Sequence, residues 1–173
     1  MQVIIKILLI ALLALLTYQD FRHRAISWIG PVAVFCLLVF KGLLTLSFSK
    51  LGSDFLINEL ILFVQFSILI IYFRMKGYSF KGFWKNVMGT GDLLFLVCIS
   101  AAFAPVNFIL FLLAGLVFTM IGYGIMILLK IGKEKPIPFA GLLAVFMIFL
   151  LITQSFGKWD SYDNETVLKL IVH

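Results

Sequence analysis

Val106 to Leu129 reads VNFILFLLAGLVFTMIGYGIMILL, without a single charged side chain. About 20 apolar residues carry a helix across the hydrocarbon core of a bilayer, so this run is long enough to span one. Its apolar residues are continuous rather than alternating, which argues against a strand, and an open sheet in lipid would leave backbone groups unsatisfied. The stretch therefore predicts a transmembrane helix. Gly115, Gly122 and Gly124 within it fit close packing of neighbouring helices.

Working outward, further apolar runs occupy roughly 3 to 18, 28 to 48, 55 to 73, 93 to 104 and 137 to 156. The run from 93 is short, and Pro105 with Asn107 predicts a tight turn between it and the next. Composition agrees with the runs. The chain of 173 residues is 63% hydrophobic and only 13% charged, with a mean hydropathy of +1.15. A soluble domain carries about 25% charged residues, so this chain has too little polar surface to cover a globule in water. The expected fold is an all-α polytopic membrane protein, a bundle of about six transmembrane helices. Residues 1–173 read as one membrane-embedded domain, with a short polar tail over 156–173. The first run has the length of a signal peptide, but its start carries only Lys6 and no small-x-small cleavage site follows, so it reads as a span. Cys36 and Cys98 lie inside apolar runs, where free Cys behaves as a small hydrophobe.

Basic residues prefer the cytoplasmic side of a membrane. Of the fourteen, Arg22 and Arg24 follow the first run, Arg74, Lys76, Lys81 and Lys85 the third, and Lys130, Lys133 and Lys135 the fifth. Lys6, Lys41, Lys50, Lys158 and Lys169 are spread over the other side. This asymmetry predicts an N-terminus outside and three basic loops inside. The net charge of +6 then answers to anionic lipid headgroups of the bilayer, and no nucleic acid is expected as a partner. Trp28, Trp84 and Trp159 suit interfacial anchoring.

Eight residues are acidic. Asp54 and Glu59 fall near the outer start of the third span, and Asp160, Asp163 and Glu165 in the outer tail. On the cytoplasmic side, Glu134 lies between Lys133 and Lys135 as a solvated charge. Asp20 and Asp92 remain, one at the inner end of the first span and one at the inner start of the fourth, where two helix ends can bring carboxylates together. Paired carboxylates withdrawn from water cannot both ionise, so one holds a proton while the other is charged. Such a pair can split an amide, the ionised member taking a proton from attacking water and the protonated member polarising the carbonyl. Asp92 closes the segment Gly89-Thr90-Gly91-Asp92, whose glycines would let a substrate backbone approach closely. Gly89 and Gly91 are accordingly the candidate substrate-binding residues, in a loop from Lys76 to Gly91 expected to close over an extended substrate. An aspartate that merely caps the fourth helix would occupy the same position. No pair of histidines has metal-ligand spacing, since His23 and His173 stand alone, and neither metal nor cofactor is expected.

Asp20-Phe21-Arg22-His23-Arg24-Ala25-Ile26 resembles the first motif of the type IV prepilin peptidases, Gly89-Thr90-Gly91-Asp92 matches their GxGD, and Pro136-Ile137-Pro138-Phe139-Ala140 resembles their IPF segment. All three stand in the family's order, and the likeness covers nearly the whole chain. The resemblance implies a membrane aspartic endopeptidase of a prokaryotic cytoplasmic membrane, with Asp20 and Asp92 as its catalytic aspartates. Its substrates would be pilin-like precursor proteins with class III-type leader peptides, cleaved at the cytoplasmic face. Many members follow the first motif with Pro-Asn and carry Lys two residues after the GxGD aspartate. Here those positions are Ser27-Trp28 and Leu94, which marks a divergent member. The paired-cysteine cytoplasmic segment of the methylating forms is lacking, so the resemblance is to short forms with peptidase activity alone. Two other classes share parts of the pattern. Presenilin-like proteases have GxGD but place the partner aspartate in a Tyr-Asp pair, where this chain reads Tyr18-Gln19-Asp20. A small transporter or assembly scaffold could use the same aspartates to hold a cation or a partner, although transporters usually set such groups near the midplane.

Overall fold

The computed structural model describes residues 1–23, 26–78, 89–129, 137–156 and 160–163. Arg24, Ala25, Lys81, Gly82, Trp84, Lys85, the segment 130–136, Lys158, Trp159, Glu165, Lys169 and His173 lie outside them, as does most of the loop expected to close over a substrate. Among the described residues there are six helices and no strand: α1 (Gln2–His23), α2 (Ile29–Leu43), α3 (Phe48–Met75), α4 (Thr90–Ser100), α5 (Pro105–Leu128) and α6 (Phe139–Phe156). Four of them, α1, α3, α5 and α6, are long and apolar enough to cross a membrane. Large apolar side chains such as Ile4, Leu56, Phe63, Leu113, Met120 and Phe149 are exposed on the outside of the bundle, as a lipid-facing surface requires.

Local chemistry moves several boundaries from their expected places. The apolar run over 28 to 48 breaks because Ser47 starts a new helix: its side chain accepts from the Lys50 N–H at 3.4 Å. As a result α2 has only 15 residues and α3 has 28. Pro105 takes the first position of α5, where its missing N–H costs nothing. α1 runs on to His23, so that Asp20 lies within the helix. Its buried face reads Ile5, Leu9, Leu13, Leu16, Asp20. The carboxylate thus stands in the next place of a core-facing stripe with helical spacing.

The end of the bundle remote from Asp20 is closed by polar groups. α4 has 11 residues, about 16 Å at 1.5 Å per residue, roughly half of a hydrocarbon core. It ends inside the bundle, and Ala101, Ala102, Phe103 and Ala104 of the following turn are all buried. Non-helical backbone at membrane depth survives only where the protein satisfies it. Asn58, fully buried on α3, donates to the carbonyls of Ser100 (2.9 Å) and Phe103 (2.8 Å). The Ala104 N–H donates to the Ser161 carbonyl at 2.9 Å, and Asn107 donates to the same carbonyl at 2.9 Å. Residues 160–163, expected as part of a polar tail, are therefore a plug. Ser161 and Tyr162 are buried, Gln154 donates to Asp160 at 3.0 Å, and the Tyr162 hydroxyl donates to the Leu38 carbonyl at 3.2 Å. Burial, reinforced by the charge of Asp160, pushes that hydroxyl's pKa above its ordinary value.

Packing fixes the opposite end. α1 makes its most extensive contact with α6, α2 lies between α1 and α4, and α5 packs on α6. Phe111 stacks on Phe103 (centroids 4.8 Å apart) and on Phe146 (5.6 Å), tying the turn after α4 to both α5 and α6. The C-terminus of α1 and the N-termini of α4 and α6 consequently meet at the end of the bundle where Arg22, Arg74 and Lys76 stand.

Candidate active site

The first amides of an α-helix have no partner within it. In α6 each finds one. Phe139 N–H donates to the Ile137 carbonyl at 2.9 Å and Leu142 N–H to the Pro138 carbonyl at 3.0 Å. Between them, Ala140 N–H donates to Oδ1 of Asp92 at 3.1 Å, and Gly141 N–H donates to Oδ2 of Asp20 at 2.6 Å. α6 carries no acidic residue in its own first turn. The anions that its positive end attracts are supplied by α1 and α4 instead.

The two sequence candidates are therefore brought together, on successive residues of one helix. Their charges lie within each other's field. Asp20 is buried, whereas Asp92 is partly exposed. A carboxylate near the C-terminus of its own helix is disfavoured by that helix's dipole. The first turn of α6 offsets this for Asp20. Asp92 lies at the third position of α4, and its Oδ2 accepts from the Gly89 N–H at 3.3 Å. One oxygen of Asp92 thus caps its own helix and the other caps α6, so the capping role weighed from the sequence is present beside the pairing. Thr17 completes the junction, its hydroxyl 2.9 Å from the Leu13 carbonyl and 3.4 Å from the Gly141 carbonyl.

Gly89 and Gly91 precede Asp92 without any backbone strain that would demand glycine. Gly89 has φ −71° and ψ 144°, and among the described residues the one glycine with a positive φ is Gly77. A Cβ on Gly91 would rest 3.6 Å from Cβ of Ile26, an ordinary contact. A Cβ on Gly89 would lie 3.2 Å from Oδ2 of Asp92 and press on the carboxylate. Beside Gly91 opens a cleft of about 410 Å³ lined by Ile26, Trp28, Pro31, Leu94 and Val97 among others. Trp28 and Leu94 share that apolar wall.

Arg22 is occupied locally, bonding to and stacking on Tyr18 one turn back. Two residues escaped the sequence reading. Ala140 stood in a motif without a role, and Gly141 was not singled out at all. The signal available was a pair of small residues opening a helix that lacks an acidic residue of its own. Comparison with protein-family models, curated proteins and solved structures finds no match, so the site is read from its own geometry.

Proposed function

We propose that this chain is a membrane aspartic endopeptidase of the prepilin peptidase type, removing leader peptides from pilin-like precursors at the cytoplasmic face. The observation that carries the reading is the convergence of Asp20 and Asp92 on adjacent amides of α6. Adjacent carboxylates share a proton, which gives one base and one acid at the same place. The base takes a proton from water as the water oxygen bonds to the scissile carbonyl carbon. The acid gives its proton to the carbonyl oxygen. Collapse of the tetrahedral intermediate breaks the C–N bond, and a proton passes to the leaving amine. The neighbouring apolar cleft supports the reading, because a pilin-like precursor presents an apolar segment directly after its cleavage site.

Asp20→Asn and Asp92→Asn are the test. An amide retains an acceptor oxygen for the α6 amides but cannot exchange the proton. Each variant is expected to insert normally and to lose about 100-fold or more in precursor processing, the scale of a general acid or base. Glu134→Gln should process as the unsubstituted enzyme does. Near-normal processing by either Asn variant would sink the proposal. Failure of both to accumulate in the membrane would assign the carboxylates to holding the helices together.

A further inference from the structure

Each aspartate has one oxygen on the N–H of a glycine. For Asp92 this is Gly89, and for Asp20 it is Gly141 at 2.6 Å. We infer that Gly141 is the positioning residue for Asp20, supplying an N–H that holds the carboxylate and, by lacking a side chain, the space that the carboxylate occupies. The inference rests on the proposed role of the two aspartates.

Three observations carry it. A Cβ built on Gly141 would lie 2.9 Å from Oδ2 of Asp20, 3.1 Å from Cβ of Asp20 and 3.0 Å from Cδ2 of Phe21. Relief cannot come from the carboxylate tip alone, because Cβ of Asp20 moves only with α1. Gly115, Gly122 and Gly30 are at least as tight but meet the ends of leucine side chains: Gly115 against Cδ2 of Leu143 at 2.7 Å, Gly122 against Cδ2 of Leu142 at 2.9 Å, and Gly30 against Cδ2 of Leu16. Those positions serve helix packing, and a leucine tip can swing aside. Gly141 instead faces the one buried carboxylate of the pair. Finally, Ala140 and Gly141 are neighbours in a rigid helical turn, with Cα atoms about 3.8 Å apart. Two amides fixed in this way set the spacing of the two carboxylate oxygens that accept from them.

A positioning role predicts loss of turnover with binding preserved. Gly141→Ala in purified, reconstituted enzyme should lower kcat for a pilin-like precursor by about 100-fold, the scale of a 1 Å misplacement, and leave KM unchanged. Gly115→Ala introduces an equally tight contact between α5 and α6 but touches neither aspartate, so its kcat per folded molecule should equal that of the parent. Phe21→Ala added to Gly141→Ala removes the clash with the ring and leaves the clash with Asp20. The double variant should stay slow, and it carries the test by itself if the single variant does not fold. Recovery of kcat in the double variant would overturn the inference, since crowding of Phe21 would then be the cause. Equal loss in Gly115→Ala, or a rise in KM alone, would overturn it too. Full turnover by Gly141→Ala while Asp20→Asn is inactive would reject the positioning role and leave the two-aspartate reading standing.

Discussion

A single side chain, Asn58, decides whether α4 can stop where it does. Its amide group is the donor for two carbonyls of a turn enclosed by apolar residues. Removing it strands the Phe103 carbonyl, at roughly 1–3 kcal/mol for a buried group left without a partner, and leaves the Ser100 carbonyl with only the 3.4 Å bond from the Phe103 N–H. Asn58→Leu should therefore lower the unfolding temperature in detergent markedly, whereas Ser67→Ala, which removes an exposed hydroxyl bonded to the Phe63 carbonyl, should leave it unchanged. Equal melting of the two variants would show that the Asn58 bonds contribute nothing. Nothing in the sequence distinguishes Asn58, because an asparagine within an apolar run shows its worth only once its acceptors from another helix are known. Asp20 and Asp92 were legible for the opposite reason. A charge at the edge of an apolar run is costly wherever it sits, so its presence alone calls for a partner. What each carboxylate would be bonded to was not legible, since the partners are backbone amides, which every residue but proline carries.

At the scale of the helix, apolar content located all six elements, and capping chemistry decided their ends. The run over 28 to 48 hid the break at Ser47 because leucine and phenylalanine suit both the end of α2 and the start of α3. The run over 93 to 104 was visibly short, yet only the structure shows that α4 stops inside the protein rather than at an interface. The start of α4 carries a prediction. Gly91→Ala would place its methyl in ordinary contact with Ile26, so folding and processing should both persist. Gly91→Val adds bulk on the wall of the apolar cleft and should cut processing by an order of magnitude or more if a substrate backbone passes there. Measuring precursor cleavage and melting temperature together separates the two effects. A Val variant as active as the parent would exclude the cleft beside Gly91 as the path of the substrate.

For the molecule as a whole, the ends of the bundle have different characters, one basic and bearing the paired aspartates, the other sealed by Asn58, Asn107 and residues 160–163. The basic end should face the cytoplasm. In a variant without Cys36 and Cys98, Ser49→Cys at the sealed end should react with an impermeant thiol reagent in intact cells, and Tyr78→Cys at the basic end only after lysis. Both positions are exposed, so the reverse pattern would invert the bundle and move cleavage to the other face. The junction of Asp20 with Gly141 has one more consequence, concerning the birth of the protein. The bonded residues are 121 positions apart, and at about 5–20 residues per second the ribosome delivers the first turn of α6 many seconds after Asp20 has been made. A nascent chain that has made both carboxylates but not yet the first turn of α6 therefore lacks the two amides that hold them side by side, and the junction closes only late in synthesis.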